Sequence, residues 1–284
     1  MIFSSRKEQV VRARKFWAYA LLLTSVANAE DINTSKLGSD AIPMQQATEY
    51  LRLHPAPDYW AISPFYIPQE TDSDCSVANV VILINVFRGI SYAGGKLVTP
   101  KTLLATVKNW TWLSQTREHS EGVTFNEMQD YLQQALKVYG LKDYEIEILR
   151  PTEFSPSSLS QVRDLLRKNE LSDRDVVLAY FNQGVLTGEW DGPHISPVGA
   201  YDEARDRVLI MDVDRQYYVP YWTSITKLLE AMVKPTPSRF GHLSGKSGGL
   251  VWVKPRSSEQ APAVVEAPRG PEQDSTGSIT QPLR

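Results

Sequence analysis

From Val77 to Phe87 the chain reads Val-Ala-Asn-Val-Val-Ile-Leu-Ile-Asn-Val-Phe, apolar except for two asparagines and without alternation. The β-branched content would suit a strand, but a run of this length favours a buried helix, ended near Arg88-Gly89. Ser73 or Asp74 can serve as its N-cap. From Gly122 onward, apolar residues at 125, 128, 131, 132 and 135 follow a helical period, and Thr124 with Glu127 three residues later forms a capping box. The second half changes period. Tyr144–Leu149 alternates, Val176–Phe181 and Arg207–Val213 are apolar, and Gly249–Val253 is a fourth strand candidate. Helices first and an antiparallel sheet later predict an α+β domain.

The ends differ from this middle. Basic residues at 6, 7, 12, 14 and 15 precede an apolar run from Phe16 to Val26 and the small-residue sequence Ala27-Asn-Ala29. That is the pattern of a secretory signal, residues 1–29, and the run is shorter than the roughly 20 residues a bilayer-spanning helix needs. The expected location is periplasmic or secreted, with no stable membrane anchor after cleavage. The leader carries five basic residues and one glutamate, so its loss takes the net charge from −3 to −7. Nothing basic enough for nucleic acid remains. Residues 255–284 hold five prolines and no aromatic residue, the composition of a disordered tail. One folded domain over 30–254 is expected, and self-association into a homodimer is left open.

Against an export signal, a single cysteine stands out. Cys75 cannot form an intramolecular disulfide, so it is either packing or reactive. At the first turn of the apolar helix it would meet unpaired N–H groups and the positive end of the helix dipole, which favour thiolate over thiol. Gln69, six residues earlier, could donate an amide hydrogen bond to an oxyanion beside the sulfur. The chain offers His54, His119, His194 and His242 as bases. His194 has the best setting, in a loop leading into a strand, and an antiparallel return through the turn at 202–206 would bring Asp212 beside it to orient the imidazole. The order Cys, His, Asp with more than a hundred residues between the first two is that of papain-like hydrolases. Buried packing for Cys75 and solvated loop roles for Gln69 are the plain alternatives. Four scattered histidines and one cysteine make no zinc cluster, so no bound metal or cofactor is expected. Gly241–Gly249 has the wrong spacing for a phosphate loop and precedes a strand.

Gly192-Pro-His-Ile-Ser-Pro-Val-Gly-Ala-Tyr201 and Arg207-Val-Leu-Ile-Met-Asp-Val-Asp-Arg215, followed by Tyr218, Pro220 and Trp222, resemble motifs of the phytochelatin synthase family. The Gln69-to-Cys75 spacing and Gly122-Val-Thr-Phe-Asn-Glu fit as well. The resemblance, spread over about Tyr59 to Lys234, is to the short prokaryotic members that consist of the catalytic domain alone. It implies a papain-like fold with Cys75 as nucleophile, His194 as base, Asp212 as its partner and Gln69 as oxyanion donor. It also implies attack on the Cys–Gly bond of glutathione, release of glycine, and an acyl-enzyme resolved by water or by a second glutathione. Cadmium or zinc would enter as thiolate complexes of the substrate, in a heavy-metal response. Without the Cys-rich C-terminal domain of the eukaryotic enzymes, hydrolysis with little polymerisation is expected.

Substrate contacts are expected at Gly192, Ser196, Arg215 and Asn182. Two places depart from the family pattern. Asn182-Gln183 stands where an Arg-Lys pair is usual, leaving Arg215 as the basic residue that could substitute. Asp74 and Ser76 flank the cysteine where an uncharged residue and often a glycine are usual. The alternatives are a papain-like peptidase or amidase with another substrate, and a non-catalytic binding protein of the same fold.

Overall fold

The computed structural model of the chain describes residues 36–89 and 96–256. The leader and nearly all of the expected tail lie outside them. Among the described residues, no helix is long and apolar enough to cross a membrane.

In chain order the elements are β1 (Ile42–Pro43), α1 (Glu49–Leu53), α2 (Pro57–Ile62), α3 (Cys75–Arg88), α4 (Pro100–Val107), α5 (Trp110–Gln115), α6 (Phe125–Val138), β2 (Tyr144–Leu149), α7 (Pro156–Asn169), β3 (Val176–Asn182), α8 (Gln183–Thr187), β4 (Pro193–Asp202), β5 (Arg207–Ile210), β6 (Tyr221–Ser224), α9 (Ile225–Val233) and β7 (Gly249–Pro255). The strands form one seven-stranded sheet in the order β1-β6-β5-β4-β3-β7-β2, and every pairing is antiparallel. This is an α+β architecture. Helices interrupt the strand half more than the sequence pattern suggests, with α7 before β3 and α9 before β7. β7 runs to Pro255, which pairs with Tyr144, so the folded part extends just past 254.

Alternation along the central strands divides the core in two. On β3, Val176, Leu178 and Tyr180 face one cluster, and Val177, Ala179 and Phe181 face the other. β7 does the same, with Val251 and Val253 on the first side and Leu250 and Trp252 on the second. The first cluster takes in α3 and α6, the second α7 and α9, so the sheet is the middle of three layers. Burial on both faces explains why these strands read as unbroken apolar runs.

Helix α3 is buried on all sides from Ser76 to Asn85. Its polar residues survive there because each makes at least one hydrogen bond. Asn85 exchanges two hydrogen bonds with the backbone of Val98, at 2.8 and 2.9 Å. α6 starts at the expected capping box, with Glu127 N donating to Thr124 Oγ1 at 3.1 Å and Thr124 N to Glu127 Oε2 at 2.7 Å. On β4 the register shifts between Val198 and Ala200, and a Cβ on the intervening Gly199 would lie 2.8 Å from the Met211 sulfur. That bulge lets Met211, and Asp212 after it, turn in under β4.

Candidate active site

Cys75 is the first residue of α3, half-buried, and forms part of the wall of a cavity of about 650 Å³. Gln69 and His194 line the same cavity. A smaller hollow of about 390 Å³ between α6 and β2 contains none of these residues.

His194 stands inside β4, opposite Phe181 of β3, and not in a loop before the strand. Its side chain is 5% exposed, and its Nε2 lies 2.9 Å from Asp212 Oδ1. That bond leaves Nδ1 for the cysteine. Burial works against a charged imidazole, but the charge and hydrogen bond of Asp212, and then the Cys75 sulfur, outweigh it and hold His194 well above its ordinary pKa. The reciprocal holds for Asp212. Burial pushes its carboxyl up, and the His194 charge and hydrogen bonds from His194, Gln183 and the Asp214 backbone bring it below the usual carboxylate range.

Asp212 is fully buried and its carboxylate is well supplied. Gln183 Nε2 donates to Oδ2 at 2.8 Å, Asp214 N donates to Oδ1 at 2.9 Å, and the Tyr66 hydroxyl donates to the backbone carbonyl. Gln183, part of the apparent departure from the family pattern, therefore fixes the second oxygen of the carboxylate beside His194. Asn79 escaped the sequence reading as well. One turn below Cys75, its Nδ2 donates to Cys75 O at 2.8 Å and to Ile195 O at 2.9 Å, joining α3 to β4. An asparagine four residues after a candidate nucleophile in an apolar helix was the available signal.

The residues flanking Cys75 also have local reasons. Asp74 occupies the N-cap position, yet its side chain turns away from the helix. Its Oδ1 accepts from the backbone N–H of Glu70 and Thr71, both at 3.0 Å, which fixes the turn bearing Gln69. Burial pushes the Asp74 carboxyl up to about 6. Gln69 N donates to Val213 O at 2.9 Å, while its side-chain oxygen is buried without a partner among the described residues. Ser76 Oγ accepts from the buried Trp112 indole at 2.9 Å, a bond that glycine could not make.

The four expected substrate contacts lie elsewhere. Asn182 is buried and donates to Asp191 Oδ1 at 2.8 Å. Ser196 is behind the imidazole, its Oγ 3.0 Å from His194 Nε2 and accepting from Val213 N. Gly192 is a packing position, since a Cβ there would come within 2.6 Å of the Phe240 and Trp190 rings. Arg215 sits 5.2 Å over the Tyr66 ring. None of the four lines the cavity. Among the described residues, Asp72, Glu118 and His119 bring three atoms of metal-ligating type together at the cavity rim. They are exposed, and Asp72 is already bonded to both the backbone and the ring of His119.

A family model described as Phytochelatin synthase matches residues 34–239. The chain is 38% identical over 89 residues to glutathione gamma-glutamylcysteinyltransferase 3 of Lotus japonicus, covering 31% of this chain and 17% of that protein. It is 35% identical over 78 residues to glutathione gamma-glutamylcysteinyltransferase 1 of Arabidopsis thaliana, covering 28% and 16%. With the glutathione gamma-glutamylcysteinyltransferase of Schizosaccharomyces pombe the identity is 31% over 96 residues, covering 32% and 22%. The matched stretches thus span less than a quarter of the length of these curated relatives.

Proposed function

The chain belongs to the phytochelatin synthase family, and from that membership and the site geometry we propose that it is a papain-like γ-glutamylcysteinyl hydrolase or transferase acting on glutathione or a related thiol peptide. The observation that carries this reading is a helix-initial cysteine sharing one cavity with a histidine whose far nitrogen is held by a buried carboxylate.

With the Cys75 proton already held on Nδ1 of His194, Sγ attacks the carbonyl carbon of the cysteinyl residue. Gln69 donates to the oxyanion that forms. The C–N bond to glycine then breaks as His194 returns the proton to the leaving nitrogen, and a thioester remains on Cys75. Water attacks the thioester and gives one proton to His194, and the C–S bond breaks with the sulfur leaving beside the protonated imidazole, which restores the starting pair. A second thiol peptide can take the place of water, giving transfer. Asp212 keeps the Nε2–H in place throughout and balances the imidazolium. Cadmium or zinc takes part as a thiolate complex of the peptide. The leader pattern supports export, and there Cys75 would work in an oxidising compartment with no second thiol in the chain.

Mass spectrometry of wild type and Cys75→Ala incubated with glutathione, with and without cadmium, tests the proposal by following free glycine, γ-glutamylcysteine and longer peptides. Glycine release by wild type alone supports it; release by a folded Cys75→Ala variant rules the mechanism out. A second reading, a papain-like amidase with another substrate, draws on Asn182, which is committed to Asp191 and brings no charge to the cavity. Turnover of other amides without glutathione turnover would favour it.

A further inference from the structure

The cavity around Cys75 is acidic. Among the described residues Glu70, Asp72, Glu118, Glu121, Glu189 and Asp214 line it, against one ammonium, Lys36. His119 and His194 also line it, and His242 bonds to Glu121 from behind. Even with all three imidazoles counted as cations, carboxylates outnumber positive groups. Three of the nearby cations are engaged elsewhere: Arg215 with the Tyr66 face, Arg239 with the Phe240 face and the Asp191 carbonyl, Lys234 with Asp191 at 2.7 Å. Lys36 itself rests 4.2 Å over the Tyr217 ring.

Two of these carboxyls are held toward the charged form by their histidine partners. The hydrogen bond from His242 holds Glu121 below its ordinary range, and the His119 backbone N–H, outweighing burial together with the other bonds to it, does the same for Asp72. Burial pushes Asp214 upward. Trp190, Tyr217 and Phe240 add aromatic faces to the same walls.

Glutathione carries two carboxylates and one ammonium at neutral pH. Its glycine carboxylate would enter a cavity whose described lining holds six others and no guanidinium. An alkylammonium would find carboxylates and aromatic faces, both of which attract cations. Resting on the activity proposed above, we infer that this cleft selects a γ-glutamylcysteinyl peptide of net positive charge, with an amine-bearing group in place of the free glycine carboxylate. The same field repels a second anionic glutathione, or its doubly anionic bis-thiolate cadmium complex, as acyl acceptor. Water therefore takes the acyl group when those are the acceptors on offer.

Three peptides that step the net charge from −1 through 0 to +1 test this on the purified full chain: glutathione, its C-terminal amide, and its amide with 1,4-diaminobutane. The scissile Cys–Gly bond is the same in each. Expected is a rise in kcat/KM for γ-glutamylcysteine release of about threefold or more per unit of positive charge at low ionic strength, compressed at high ionic strength. The double variant Glu118→Gln/Glu189→Gln, altered at two exposed rim positions, should flatten the series. Equal kcat/KM for all three, preference for glutathione, or a series untouched by the double variant overturns the inference and leaves the proposed activity standing. Absence of Cys75-dependent release from all three overturns the proposed activity, and the substrate class with it.

Discussion

At the scale of single residues, the site depends on side chains whose roles follow from what they touch. Asp74 is the clearest case, a 5% exposed carboxylate beside the candidate nucleophile that serves as acceptor for two backbone N–H groups of the Gln69 turn. Its folded pKa, about 6 against an ordinary 3.8, means that the native state binds a proton more tightly than the unfolded chain does. Its contribution to stability is therefore best below about pH 4 and worsens as pH rises toward 6, the reverse of a salt-bridged aspartate. Asp74→Asn keeps the Oδ1 acceptor and removes the buried charge. Denaturant unfolding of both proteins should show the variant more stable at pH 7.5, by up to about 3 kcal/mol, with the gap closing toward pH 4. A gap that widens on acidification would mean that the charge itself holds the turn. Gln183 gives a second test. Gln183→Leu strips the donor from Asp212 Oδ2 and should cost about 1–3 kcal/mol of stability. Because the Asp212 pKa rises when that donor is lost, the acid limb of the pH–rate profile should move upward, a shift that a purely structural role would not produce.

At the scale of elements, what matters is how α3 and β4 are set against each other, and here the sequence was only partly legible. The helix after Cys75 was readable because eleven nearly unbroken apolar residues are too long for a common strand, and α6 because Thr124 and Glu127 make a local signature. His194 was readable as a candidate, but its place inside a strand was not. Pro193 and Pro197 look like loop punctuation, and only the pairing with β3 puts Asn182 opposite Pro193 and Leu178 opposite Pro197. The same long-range register sends Asn182 to Asp191 and Gln183 to Asp212, contacts that no spacing in the chain reveals. Asn79 is the tie between the two elements. Asn79→Leu would strip the side-chain amide donor from the Cys75 and Ile195 carbonyls, the second of these contacts buried, and should cost about 1–3 kcal/mol. If Asn79 also sets the distance from Cys75 to His194, alkylation of the thiol by iodoacetamide should slow in the variant even under conditions where it remains fully folded. An unchanged rate would reduce Asn79 to a purely structural tie.

At the scale of the whole molecule, the sheet separates two cores with different relations to the site. Cys75 belongs to the α3 side, while α7 and α9 close the opposite face with a core of their own. The two faces share every central strand, so the layers cannot come apart without breaking the sheet, and unfolding should be a single transition. Function need not be shared so evenly. Leu178 on β3 packs in the cluster containing α3, and Leu250 on the neighbouring β7 packs in the other; both are fully buried. Leu178→Ala and Leu250→Ala should each lose about 2–5 kcal/mol in one cooperative step. Only the first opens space in the cluster that packs the helix presenting Cys75. In native conditions Leu178→Ala should therefore change the Cys75 alkylation rate severalfold, and Leu250→Ala should leave it near wild type. Equal changes would mean that the sheet transmits packing defects across its full thickness, and two separate transitions would mean that the cores fold as independent units joined by the strands.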